Sequence, residues 1–316
     1  MQPFTLHPEY RDYVWGGDRL RPGHSPTAEI WAVHENNLVA SGPHSGQSLH
    51  QLSSEHGERL LGQNVQGKTP GRFPLLIKLL DCADWLSLQV HPDDTLAIEL
   101  EGPGMFGKTE AWHVLDAAPG ARLIAGMKPG TSAQELATAI KDGSILSLSQ
   151  YLDAHIGDTV FMPAGTIHAL GPGLLIYEVQ QSSDLTYRVY DWGRPETEKR
   201  KLHIDKSLAV TNPQAVATAL KLPPMSDGDR QVLASCQYFT LEMLTAKASE
   251  LTIEPRGLSF HILTVVEGQA RIASSENEWT LNRFETLVIP ADCAGIHILP
   301  ANGYRALHAS VEQRAD

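Results

Sequence analysis

A chain of 316 residues with 42% hydrophobic residues can bury one large or two ordinary cores. Its 37 acidic against 25 basic residues, net charge -12, leave no basic footprint for nucleic acid or an anionic membrane. Three scattered cysteines, Cys82, Cys236 and Cys293, exclude a disulfide framework or a cysteine metal site and suit a reducing compartment.

The opening MQPFTLHPEYRDYVWGG has no apolar leader core, and no apolar run reaches the ~20 residues of a membrane span, so a cytoplasmic protein is expected. From residue 73 onward short runs rich in branched and aromatic residues follow one another: FPLLIKLLD, WLSLQVHP, EAWHVLDA, ARLIAGM, DTVFMPAG, GLLIYEVQQ, TYRVYDW, FTLEMLTA, LSFHILTVVEG and ETLVIPAD. Half of them end in Gly, Pro or Asp, and runs of this kind mark an all-β sandwich or barrel. SAQELATAIKDG is the best helix, with Ser132 as cap, Leu136 and Ile140 four apart and Gly143 as terminator; it is expected to cover one end of the first barrel. Residues 205–231, broken by NPQA and LPPMSDGDR, read as a connector. DTVFMPAGTIHAL (158–170) and ETLVIPADCAGIHIL (285–299) share an apolar run, Pro-Ala, a turn and Ile-His, so two related barrels are expected: 1–204 and 232–316.

In LSLQVHPDD (86–94) Leu86, Leu88 and Val90 alternate with Ser87, Gln89 and His91, which puts Gln89 and His91 on one strand face. GKTEAWHVL places Lys108 and Glu110 on another shared face, and MPAGTIHALG delivers Thr166 and His168 together. One glutamine, two histidines and one carboxylate suit a borderline divalent cation such as Zn²⁺, with room left for water or a substrate oxygen. Among 14 histidines, His113 and His261 read equally as packing residues. His91, Glu110 and His168 without Gln89 would also make the triad of a non-haem iron oxygenase.

Six segments, YVWGGDRL, TAEIWAVHE, FPLLIKLLDCADWLSLQVHPDD, GKTEAWHVL, GDTVFMPAGTIHALGPGLLIYEVQQSSDLTYRVYDWGR and KLHIDKSL, together resemble type I phosphomannose isomerase in its shorter bacterial form. The resemblance runs through the first two-thirds of the chain. It implies a cupin-type double β-barrel and one zinc ion on Gln89, His91, Glu110 and His168. It further implies interconversion of mannose 6-phosphate and fructose 6-phosphate through a cis-enediol, and Arg188, after the Ser-Asp of SSDLTYRVYDWGR, as a catalytic arginine. Arg194 competes for that role, but it follows Gly193 in an apparent turn, whereas Arg188 lies in a strand-like run. Lys108 and Glu178 are the candidates for the general base, with contact to substrate oxygens or support of a histidine ring as their other readings. The last third keeps His261 and His297 but has no Q-x-H or K-x-E counterpart, so no second metal site is expected there. A sugar-phosphate-binding cupin without turnover is the remaining rival.

Overall fold

The computed structural model describes residues 1–311 apart from 25, 66, 70, 199, 216 and 218. It is mostly β, the cupin-like architecture that was expected. The chain forms two compact units that do not follow the linear division at 204 and 231. One comprises Tyr10–Ile30 and Lys78–Lys221, and the other comprises Met1–Glu9, Trp31–Ile77 and the chain from Leu222 onward. The N-terminal stretches join the later unit through main-chain pairing. Phe4 exchanges both backbone bonds with Val288, Leu61 O accepts from Phe260 N at 3.1 Å, and Leu60 O accepts from Ala291 N at 3.0 Å. Residues 205–221 are not a bare connector either. Helix Ile204–Val210 and strand Ala219–Lys221, which pairs with Asp158–Met162, belong to the first of these units.

The unit of residues 78–221 faces two sheets with a polar pocket between their inner sides. In the larger sheet, strands Leu75–Cys82, Leu174–Gln181, Glu110–Ala117, Asp158–Met162 and Ala219–Lys221 are neighbours in that order. The smaller runs Tyr187–Tyr190, Leu88–Val90, His168–Leu170, Arg122–Met127, Ser149–Asp153. Leu88 and Val90 do not face the pocket. They pack outward with Ile124, Ile167, Tyr187 and Val189 beneath Leu136, Ala139 and Ile140 of helix Ala133–Asp142. The helix therefore covers a sheet face rather than a barrel end, because the apolar side of LSLQV would otherwise meet water. Its ends match the sequence reading: Ser132 and Glu135 form a reciprocal capping box, and Gly143 closes it at φ 79°.

The internal repeat is a strand, a Pro-Ala turn and a second strand in both copies: Asp158–Met162 into His168–Leu170, and Thr286–Ile289 into Ile296–Ser310. The facing is reversed. Ile167 packs outward and His168 lies in the pocket, whereas Ile296 sits in the core of its unit and His297 is exposed, paired with Glu250. Opposite faces of a strand differ by one residue, so the same Ile-His pair builds a polar interior once and an apolar one the second time.

Candidate metal centre

All the candidate groups lie in the unit of residues 10–30 and 78–221. Gln89 opposes His168 on one neighbouring strand and Arg188 on the other. Directly opposed residues share a sheet face, so these three side chains point the same way. On the second sheet Glu110 opposes Gln180 and Trp112 opposes Glu178, which puts those four on one face. His91 follows its strand and is turned back by its Nδ1, 2.7 Å from Leu185 O.

Three ligand atoms, one each from His91, Glu110 and His168, lie within 4.8 Å of one another, and all three residues are buried. The tautomers can be deduced. His91 Nδ1 faces the Leu185 carbonyl and His168 Nδ1 faces the Thr166 carbonyl at 2.8 Å. A carbonyl only accepts, so both Nδ1 atoms carry hydrogen, and each neutral ring presents an Nε2 lone pair to the centre. His168 Nε2 is 3.2 Å from Glu110 Oε1, and His91 Nε2 is 3.8 Å from Oε2. Acceptors thus face an acceptor around a carboxylate that is 0% exposed. Such a set fits a divalent cation, which would turn these mutual repulsions into attractions. Gln89 stands beside this set: its amide nitrogen lies 3.2 Å from His168 Nε2, and rotating the amide by half a turn would bring its oxygen to that place.

Electrostatics agree with this donor set. Burial, aided by the Lys108 cation, pushes His91 well below the ordinary histidine range and His168 to about 3, so both rings are neutral. Burial raises Glu110 to about 7 against the pull of Lys108. The Lys108 ammonium lies 2.7 Å from Glu110 Oε2 and 3.0 Å from His91 Nε2, at the position where a cation is wanted.

Of the other sequence candidates, Arg188 is half-buried and donates from Nη1 to Lys201 O at 3.1 Å, while its buried Nε has no hydrogen-bond partner among the described residues. Arg194 is committed elsewhere, to Asp84 at 2.6 Å, Asp191 at 3.1 Å and Trp85 O at 2.8 Å. Among the described residues no histidine ring bonds to Glu178. Its Oε2 accepts from Trp112 Nε1 at 2.9 Å and its Oε1 is 3.3 Å from Lys78 Nζ. Burial would raise the Glu178 pKa, but Lys78 and Lys108 together hold it below the usual range. His113 bonds Thr159 at 2.9 Å on the other face, as a packing residue.

Lys78 escaped the sequence reading. It lies in Leu75–Cys82, a strand buried at every position, and also sits 3.8 Å from Glu29. Burial alone would lower its pKa, yet Glu29 and Glu178 raise it. A lysine inside FPLLIKLL was the available signal, since a charge buried in an apolar run requires a partner.

Comparison with known proteins gives this geometry a context. Residues 4–104 match the model of the phosphomannose isomerase type I catalytic domain. Mannose-6-phosphate isomerase of Streptococcus mutans is 36% identical over 92% of both chains, and a Bacillus subtilis mannose-6-phosphate isomerase is 34% identical over 92% of this chain and 93% of its own. The crystal structure of a Bacillus subtilis mannose 6-phosphate isomerase superposes with a TM-score of 0.87 at 32% identity, covering 98% of this chain and 99% of that one. A Salmonella typhimurium phosphomannose isomerase mutant, 17% identical, shares the fold at a TM-score of 0.77 over 98% of this chain and 100% of that one. Sequence identity of this level along nearly the whole length leaves no room for the oxygenase alternative: the chain belongs to the type I phosphomannose isomerase family.

Proposed function

We propose that the chain interconverts mannose 6-phosphate and fructose 6-phosphate with one Zn²⁺ ion held by Gln89, His91, Glu110 and His168. The observation that carries this reading is the buried Glu110 carboxylate facing two Nε2 lone pairs whose direction is set by main-chain carbonyls. Aldose and ketose differ by the position of one carbonyl, so a proton must pass between C1 and C2 through a cis-enediol. When bound, the ion supplies positive charge that lowers the cost of negative charge on the sugar oxygens.

The chain's own groups do the rest. Three neutral donors and one carboxylate leave a dication with a net charge of about +1. Arg188, always charged and on the face of Gln89 and His168, meets charge developing on the enediolate or grips the phosphate. Lys108 is favoured over Glu178 as the proton carrier, because the Glu178 carboxylate is taken by Lys78 and Trp112 whereas the Lys108 ammonium, among the described residues, bonds to groups assigned to the ion. The other unit is assigned no metal. Its buried His261 and His308 bond to each other at 2.8 Å, and Glu242 takes the remaining His308 nitrogen at 2.9 Å. A cytoplasmic setting, with three unpaired cysteines, completes the proposal.

The test is a coupled assay for fructose 6-phosphate with chelator-stripped protein, then with Zn²⁺ restored. Activity should vanish and return. Full turnover in protein shown to be metal-free would remove the ion from the reading. Binding of mannose 6-phosphate without any turnover, metal-loaded or not, would leave a sugar-phosphate-binding cupin.

A further inference from the structure

Behind the candidate ligands, the end of strand Leu174–Gln181 ties residues 92–94 to residues 107–109. Gln181 Oε1 accepts the Thr109 backbone N–H at 2.9 Å, and its Nε2 donates to Asp94 Oδ1 at 2.9 Å. Its main-chain N–H also donates to Thr109 O at 3.2 Å. The same Asp94 oxygen accepts Gly107 N–H at 2.8 Å, and Lys108 N–H donates to Pro92 O at 2.9 Å. Residues 107–109 are thereby gripped on two sides, with Lys108 inside the grip and Glu110 next to it. The approach is backbone on backbone: a Cβ on Gly107 would stand 2.5 Å from the Asp93 carbonyl carbon. One turn further, Ser183 Oγ donates to Phe106 O at 2.8 Å, and Gln180 Nε2 braces Ser183 O, just ahead of the Leu185 carbonyl that aims His91.

Position 181 must accept on one side and donate on the other. Among unbranched aliphatic side chains of this length only glutamine does both at neutral pH. We propose that Gln181 and Asp94 are positioning residues, a clamp that sets where the Lys108 ammonium stands relative to Glu110 and His91. The inference rests on the roles assigned above to Lys108 and the four ligands.

Gln181→Glu keeps the length and the acceptor for Thr109 but turns a carboxylate toward the Asp94 carboxylate. Its kcat for mannose 6-phosphate should fall about tenfold or more, as displaced catalytic groups cause, while KM moves less than about threefold. Adding Asp94→Asn removes the charge repulsion while its Oδ1 can still accept Gly107 N–H, so the double variant should regain part of the lost kcat. Gln181→Met, which loses both bonds without adding charge, should also lose kcat but gain nothing from Asp94→Asn, and it carries the test should Gln181→Glu not fold. Wild-type kcat in Gln181→Glu and Gln181→Met, or no difference in rescue between them, overturns the clamp. So does a loss of activity that merely follows a lowered melting temperature. Titration with Co²⁺ alone, followed by its visible absorption, keeps the two ideas apart. Wild-type Co²⁺ affinity in Glu110→Gln would overturn the ligand assignment whatever the Gln181 variants do.

Discussion

Replacing Lys78 with methionine keeps the straight aliphatic stem and removes only the ammonium. The groups left behind are Glu178 and Glu29, 3.3 and 3.8 Å from Nζ and only 3% and 7% exposed. Trp112 still donates to Glu178, which offsets part of the loss. Breaking a buried ion pair by removing one partner costs about 3–5 kcal/mol. At about 2–4 °C per kcal/mol, Tm should fall by roughly 6–20 °C. The loss has a pH signature. The folded-state pKa of Lys78 is raised, so its contribution is whole below its unfolded pKa of about 10.4 and fades only as pH rises through the higher folded value. That of Glu178 is lowered, so its contribution is whole above about 4.3 and is lost as pH falls through the lower folded value. The Lys78–Glu178 pair is therefore insensitive to pH between those limits. In Lys78→Met the Glu178 carboxylate keeps only the pull of Lys108, burial drives its pKa up, and it takes a proton more readily as pH falls. The deficit should be full near about pH 8 and smaller near about pH 5. Thermal melts of both proteins at the two pH values measure it. A drop below about 3 °C, or an equal drop at both, would refute the reasoning.

Glu110→Gln should weaken Zn²⁺ or Co²⁺ binding more than about 100-fold, and Glu178→Gln by about tenfold or less, since only the first removes the one charged ligand; equal affinities by competition titration would count against the assignment. Arg188→Ala should lower kcat by roughly 10² or more with metal content intact, and Arg194→Ala, whose guanidinium is held by Asp84 and Asp191, should lower it less. Unchanged steady-state kinetics for Arg188→Ala would take it out of the site. Because burial raises Glu110 to about 7, an incoming ion must displace a proton below that pH, so affinity should decline as pH falls through about 7. Calorimetry in buffers of different ionisation enthalpy reads the released proton, and a flat affinity from about pH 8 to 6 would contradict it.

Period-two alternation was enough to bring Gln89, His91, Glu110 and His168 into question, because strand facing is a local property. The helix Ala133–Asp142 was legible for the same reason: Ser132, Glu135 and Gly143 all act within a few residues of its ends. What stayed hidden depends on distant partners. Lys78 acquires meaning only from Glu29 and Glu178, both remote from it along the chain. The joining of residues 1–9 and 31–77 to the later unit rests on backbone pairs such as Phe4 with Val288, which leave no mark on side-chain pattern. Alternation also cannot say which face is inside. The oily side of LSLQV lies outward under a helix, and the polar side lines the pocket.

Both candidate histidines are aimed by carbonyl oxygens, of Leu185 and Thr166, and every residue type carries a carbonyl. Side-chain identity at 166 and 185 can therefore drift without turning the rings, provided the main chain keeps its path. Chain length cannot. One residue inserted or deleted in 181–185 or 163–168 would carry the acceptor away from its imidazole and release the other tautomer. Tolerance at this centre should thus be wide for substitutions and narrow for insertions and deletions, and a library of single-residue indels across these two turns would map its limits more sharply than an alanine scan.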